Sequence, residues 1–210
     1  MSFYKEIAIV TTTRNVGILL FDDVEVLDFC GPFEVFSVAA RLGAEAGGEP
    51  PFTVFTLAER SGLVRATGGL KVQPDYTLAE HPPLALLLVP GGWGTRREID
   101  NRRLIDWIRD QGASTELTTS VCTGAFLLGK AGLLEGRRVT THWASVERMR
   151  TSFPDVTVLE AVRFVEEGKI VTSAGVSAGI DMALHLVARL ESKDLAERTA
   201  RQMEYTSGPY

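Results

Sequence analysis

The sequence predicts an α/β domain built on a parallel sheet, and three stretches carry that prediction. Leu84-Ala85-Leu86-Leu87-Leu88-Val89 is a continuous apolar run, the pattern of a strand buried on both faces. Ser114 to Thr119 is rich in β-branched residues and reads as a strand, while Gly124 to Ala131 reads as a short helix, so a strand-to-helix turn falls between them. Residues 175–190 form a strong helical pattern with Ile180, Ala183, Leu184 and Val187 on one stripe. A chain of 210 residues, 45% of them hydrophobic, is long enough to bury these elements around one large core.

The remaining elements follow in order. Residues 7–10 and 16–21 are both apolar; the second leads into an acidic turn and a helix, so it is the first core strand, and residues 1–15 are an extension or an extra strand. The helix pattern runs over 33–42, with Pro32 in its first turn, where a missing N–H matters little. Residues 43–51 form a flexible loop, 52–58 a strand, and 63–66 with 70–73 a hairpin through Thr67-Gly68-Gly69. An amphipathic helix at 102–110 places Leu104, Ile105 and Ile108 on one face. Residues 137–143 read as a strand ending at His142, and 156–159 as another. Residues 162–165 and 170–173 flank the turn Glu166-Glu167-Gly168-Lys169. Residues 194–205 form a last helix, after which too few residues remain for another domain, so 16–206 is one unit.

Composition narrows the partners. Lys and Arg total 22 against 27 Asp and Glu, a net charge of −5, which lacks the basic footprint of a nucleic-acid binder. The first six residues lack the basic start of a secretory signal, and no apolar run is long enough to span a membrane. A cytoplasmic protein is expected, with Cys30 and Cys122 as free thiols. No cluster has the usual metal-ligand spacing, and the glycines do not follow G-x-G-x-x-G, so a dinucleotide site is rejected.

Candidate chemistry gathers at five places. Cys122 sits on the strand-to-helix bend with Ser120 and Gly124 two positions either side, the shape of a nucleophile elbow. A helix N-terminus lowers a thiol pKa, so a reactive thiolate is one role; a buried structural cysteine is the other. Asp28, between Leu27 and Phe29 after the first strand, is either a turn or cap residue or a partly buried carboxyl with raised pKa able to move a proton. Gly91 and Gly92, after the buried strand, either make a plain turn or offer N–H groups to an oxyanion together with the N–H beside Cys122. His142, at a strand end, is either a base or a packing residue, whereas His81 and His185 read as structural or surface residues. The start of the last long helix, 174–179, could admit an anion, although its glycines fit close packing against the sheet better.

Leu27-Asp28-Phe29-Cys30-Gly31-Pro32, Val89-Pro90-Gly91-Gly92, Ser120-Val121-Cys122-Thr123-Gly124, Thr140-Thr141-His142-Trp143 and Ser177-Ala178-Gly179-Ile180-Asp181 occur in the order seen in the ThiJ/PfpI superfamily, a class I glutamine amidotransferase-like group. The resemblance spans about Val16 to Tyr205 and is most like the isonitrile hydratase branch; the amidase-like domains of some AraC-type regulators are similar. It implies a flavodoxin-like three-layer sandwich, with a mostly parallel central sheet and helices on both faces, and a homodimer. Carried over, Cys122 is the nucleophile and Asp28 its acid/base partner, completed by Thr123 and the Gly91-Gly92 turn, with Cys30 and His142 lining the substrate site. Thr123 stands where peptidase-like members carry histidine, and Cys30 where hydratases carry threonine. The implied activity is hydration of a small isonitrile to an N-substituted formamide without metal or organic cofactor. Dicarbonyl chemistry of glyoxalase or deglycase type, or a redox sensor oxidised at Cys122, are the alternatives.

Overall fold

The computed structural model describes residues 13–45 and 47–206. The apolar run at 7–10, read above as an extension or extra strand, lies outside the described residues. Strand β1 (Arg14–Leu20) leads into helix α1 (Val26–Ala44), strand β2 (Phe52–Ala58), the hairpin β3 (Val64–Arg65) and β4 (Lys71–Val72), and the short edge strand β5 (Tyr76–Thr77). Strand β6 (Leu86–Val89), helices α2 (Thr95–Glu98) and α3 (Arg102–Ser114), strand β7 (Leu117–Val121) and helix α4 (Gly124–Lys130) make the centre. Strand β8 (Arg138–Val139), helix α5 (Val146–Ser152), strands β9 (Thr157–Val158), β10 (Phe164–Glu167) and β11 (Ile170–Ser173), and helices α6 (Ala178–Leu190) and α7 (Lys193–Gln202) complete the chain.

The main sheet has the order β10-β11-β7-β6-β1-β2-β5, parallel throughout except for the β10–β11 hairpin. Helices α1, α6 and α7 pack together against one face, and α2, α3 and α4 against the other, which makes three layers. β6 lies between β1 and β7 and all four of its residues are buried, which is why it reads as an unbroken apolar run. Chain direction across the sheet reverses between β1 and β6, because β1 connects outward to β2 while β6 and β7 continue on the other side. In open α/β sheets the crevice at the carboxyl ends of strands flanking such a reversal is where ligands bind. Asp28 follows β1, Gly91 follows β6 and Cys122 follows β7.

Several boundaries differ from the sequence-based expectation, four of them for a clear local reason. α1 begins at Val26 rather than 33, so Pro32 lies inside the helix and Asp28 in its first turn. Proline cannot donate to the Asp28 carbonyl there, and its ring instead packs toward Gly179 of α6. Ser114 and Thr115 stay with α3: the Thr115 N–H and Oγ1 both donate to the Gln111 carbonyl at 2.9 Å, so β7 starts only at Leu117 and runs on to Val121. β8 ends at Val139, well short of His142, because the Thr140 N–H donates to Thr172 Oγ1 (2.9 Å) and Thr140 Oγ1 to the Leu159 carbonyl (2.9 Å) in place of a ladder. α6 begins at Ala178, since Val176 has φ +52° and breaks the helical pattern. The 63–73 hairpin, the turn at Gly168 (φ +67°) and the buried faces of α3 and α6 match their expectation.

Candidate active site around Cys122 and Asp28

Cys122 has φ +58°, a left-handed conformation in which an L side chain costs roughly 1–2 kcal/mol. The strain persists because both of its peptide groups are held. Its N–H is shared by the Ser173 and Ala174 carbonyls at 3.2 Å each, and its carbonyl accepts from Thr141 Oγ1 at 2.8 Å. Gly124 permits the turn by lying against β6: a Cβ there would stand 2.1 Å from the Val89 carbonyl oxygen. The elbow predicted from small residues around Cys122 is therefore present, with the first turn of α4 directly after it.

The carboxyl of Asp28 is fully buried. Its Oδ2 accepts from the Gly91 N–H at 2.9 Å, whereas Oδ1 has no hydrogen-bond partner. Burial is the main force on the group and pushes its pKa up to about 7; the Gly91 N–H opposes this, the charge of Glu25 adds to it, and the Cys122 thiol and the Val176 N–H oppose it further. The first turn of a long helix favours an ionised carboxyl by up to ~2 kcal/mol, and here desolvation outweighs it.

The thiol differs from its expectation. Cys122 is 6% exposed, and burial, followed by the charge of Asp28, pushes its pKa up to about 12. The Thr123 N–H and hydroxyl pull the other way without prevailing. A helix N-terminus was expected to lower this value, but α4 has only seven residues and the sulfur lies in the hydrophobic core. At neutral pH the pair is thus a thiol beside a carboxyl near half-ionisation.

Gly91 and Gly92 also differ from expectation. Their N–H groups are not free for an oxyanion: Gly91 donates to Asp28, and Gly92 donates to Thr123 Oγ1 at 3.0 Å. What the turn requires is absence of side chains. A Cβ on Gly91 would lie 2.6 Å from the Thr123 nitrogen and 2.9 Å from Asp28 Oδ2, and Gly92 has φ +124° against the backbone at 23–25. Thr95 Oγ1 donates to the Gly92 carbonyl at 2.8 Å, and the single hydroxyl hydrogen of Thr123 has two acceptors in reach, that same carbonyl at 3.3 Å and the Cys122 sulfur.

The other candidates are peripheral. His142 packs on the loop after β11: Nδ1 accepts from the Ala144 N–H at 3.3 Å, and the ring covers Gly175, where a Cβ would meet Cδ2 at 2.2 Å. Its hydrogen bond goes to Ala144, and it is not among the groups that act on the Cys122 thiol. Cys30 lies two residues beyond Asp28 on α1, about 200° round the helix, and is half-buried on another face. His81 bonds to the Pro82 carbonyl and His185 pairs with Glu166, both structural contacts as expected. Gly179, 3.0 Å by its virtual Cβ from Val121, fits the close-packing reading of the 174–179 stretch. Thr95, Thr141 and the Val176 N–H were not singled out from the sequence. Thr141 and Val176 stand in stretches that drew attention, Thr140-Thr141-His142-Trp143 and 174–179, whereas Thr95 lies one residue past the glycine turn. Among the described residues, no group of three or more His, Cys, Asp and Glu side chains is placed to hold a metal ion, and no helix is long and apolar enough to cross a membrane.

Comparison with known proteins agrees with this geometry. An isonitrile hydratase from Pseudomonas putida is 36% identical over 195 residues, covering 93% of this chain and 80% of that protein. The HTH-type transcriptional regulator CdhR of Pseudomonas aeruginosa is 30% identical over 90% of this chain, which spans about half of that longer protein (54%). A crystal structure of a ThiJ/PfpI family protein from Pseudomonas syringae superposes with a TM-score of 0.83 at 28% identity, covering 95% of this chain and 78% of that one. The family model for DJ-1/PfpI matches residues 14–189, from the first described strand through α6 and with both Asp28 and Cys122 inside it, and the chain belongs to the DJ-1/PfpI family.

Proposed function

We propose that the protein hydrates a small isonitrile to the N-substituted formamide, with Cys122 as nucleophile and Asp28 as the proton carrier. The observation that supports this most is the buried Asp28 carboxyl, held near half-protonation at neutral pH beside the thiol. Isonitrile carbon must gain a proton as well as a sulfur bond, so a neutral acid next to a thiol suits it. The 36% identity to an isonitrile hydratase over most of the chain supports the same reading.

In the first step the Cys122 sulfur attacks the terminal carbon while Asp28 delivers its proton to that carbon. The thiol proton passes to Asp28, so the carboxyl is restored and a thioimidate is bound to sulfur. Water then adds to the thioimidate carbon, with a proton moving to nitrogen. The carbon–sulfur bond breaks, the formamide leaves and the remaining hydroxyl proton returns to sulfur. The net change is one water per isonitrile. Thr123 supports the charge on sulfur through its N–H and hydroxyl, and Gly91 steadies the Asp28 carboxyl through Oδ2. Gly92 sets the Thr123 hydroxyl, while His142 packs over Gly175. The family resemblance supports a homodimer acting on a small molecule.

The match to regulators favours a second reading, a ligand-binding module without turnover. One assay separates the two. Purified protein is given an aryl isonitrile, and in parallel methylglyoxal, with product followed spectrophotometrically. Formamide is expected from the isonitrile, and Cys122→Ala and Asp28→Asn should each lower the rate by at least about 10². Near-UV circular dichroism checks that the variants fold. Full activity in either folded variant ends the mechanism, and binding without product in the wild type favours the second reading.

A further inference from the structure

Four arginines lie on the two elements that border the elbow. On α2, Arg97 is held by Glu98 (2.9 Å), Asp23 (3.4 Å) and the Asp22 carbonyl (2.8 Å). On α5, Arg150 is held by Glu147 and by Glu160 (2.6 Å). The nearest acids are therefore taken, and Arg96 and Arg148 have aromatic rings instead. The Arg96 guanidinium lies 3.9 Å from the Trp93 ring centre, and that of Arg148 lies 4.0 Å from the Phe126 ring centre. Phe126 belongs to α4, which opens at the elbow. Trp93 follows Gly92 and is 66% exposed.

Stacking on a ring face fixes the plane of a guanidinium and leaves its in-plane N–H fork unused. Arg148 shows this directly, because its Nε is buried and has no hydrogen-bond acceptor. The two cations are also within electrostatic reach of one another, and Arg148 within reach of the Cys122 sulfur. Two like charges thus lie within reach of each other and one of them within reach of the sulfur, Arg148 keeps a buried donor without an acceptor, and among the described residues neither guanidinium is in an ion pair. A carboxylate or phosphate is the planar or tetrahedral acceptor that such forks fit.

We infer that Arg96 and Arg148 together recognise an oxyanion beside Cys122, so that the substrate carries a carboxylate or phosphate group next to the carbon the sulfur attacks. This deepens the isonitrile reading by naming a substrate class, and its test does not depend on that reading.

The test uses two alkylating reagents of similar size, anionic iodoacetate and neutral iodoacetamide. Each forms a carbon–sulfur bond and releases iodide, with the thiol proton going to buffer. Cys30 is the internal comparator, and peptide mass spectrometry reads both cysteines in the intact folded protein at low salt. The ratio of carboxymethylation to carbamidomethylation at Cys122 should exceed that at Cys30 by about tenfold. It should fall toward the Cys30 ratio in high salt, in Arg148→Met and in the exposed-site variant Arg96→Met. Equal ratios at the two cysteines, no response to either substitution, or resistance of Cys122 to both reagents while Cys30 reacts would each overturn the inference. If the ratio behaves as expected but no isonitrile is turned over, the anion site stands and the hydratase reading fails. Where isonitriles are turned over, 4-isocyanobenzoate and its methyl ester supply the second arm. The carboxylate should have the higher kcat/KM, and its two oxygens can be compared with a phosphate-bearing analogue.

Discussion

Asp28 holds its proton more tightly than an ordinary carboxyl because burial outweighs the hydrogen bonds that partly replace the water it loses. Oδ2 receives a hydrogen bond from Gly91, Oδ1 has no partner in hydrogen-bond geometry, and the Cys122 thiol and the Val176 N–H add smaller contributions. Such a carboxyl binds its proton more tightly in the folded chain, at about 7, than at its ordinary 3.8. Its contribution to stability is therefore complete below about pH 3.8 and is lost as pH rises through about 7. Asp28→Asn copies the neutral acid and cannot ionise. Relative to wild type it should gain stability between about pH 4 and about pH 8, by on the order of 3 kcal/mol, read from urea unfolding at the two pH values. Parallel pH profiles for the two proteins would show that the carboxyl ionises freely. The same variant loses the proposed activity, so a site that works would be one that weakens the fold at working pH.

The elbow is held by its neighbours and not by its own helix. β7 delivers Cys122 in a strained conformation, the loop after β11 binds its N–H, and Thr141 binds its carbonyl. The loops after β1 and β6 are tied in the same way: the Glu25 N–H donates to the Gly91 carbonyl at 2.9 Å, and the Gly94 N–H to the Asp23 carbonyl at 3.1 Å. These ties bring the start of α1, and Asp28 with it, up to the sulfur. Close approach of backbone to backbone is the requirement, so Gly124→Ala, whose new methyl meets the Val89 carbonyl at 2.1 Å, should destabilise by at least about 2 kcal/mol. Gly48→Ala, with open space around it and no unusual φ, should stay within about 0.5 kcal/mol. Urea midpoints for the pair give the comparison, and equal effects would contradict a backbone-packed elbow.

Across the molecule, one buried cluster runs from β1 and α1 through β6 and β7 to α4, α6 and α7. Both helix layers thus close on a single sheet. The described residues should unfold in one transition, so tryptophan fluorescence and far-UV circular dichroism should trace the same urea curve. Trp107 reports from α3, Trp93 from the exposed turn after Gly92, and Trp143 from the exposed residue after His142. A separate early fluorescence change would mark the segments carrying Trp93 and Trp143 as units that open by themselves. The groove of about 630 Å³ between Glu59, Leu63, Arg97 and Asn101 lies at the ends of β1 and β2, holds neither Cys122 nor Asp28, and carries no part of the proposed chemistry.

Much of this architecture could be read from local pattern. The unbroken run at 84–89 marks a central strand, the stripes at Leu104, Ile105, Ile108 and at Ile180, Ala183, Leu184, Val187 mark buried helix faces, and small residues around Cys122 mark a tight turn. Period and residue size act over a few positions, so they are visible along the chain. Burial of a charge and reuse of an N–H depend on residues far apart. That the Cys122 thiol is pushed up rather than down, that Gly91 and Gly92 serve Asp28 and Thr123 rather than an oxyanion, and that Arg148 has a ring where an acid would be expected arise only when β1, β6, β7 and α5 are brought together. Desolvation and hydrogen-bond pairing are properties of that three-dimensional enclosure, and no local stretch of residues specifies them.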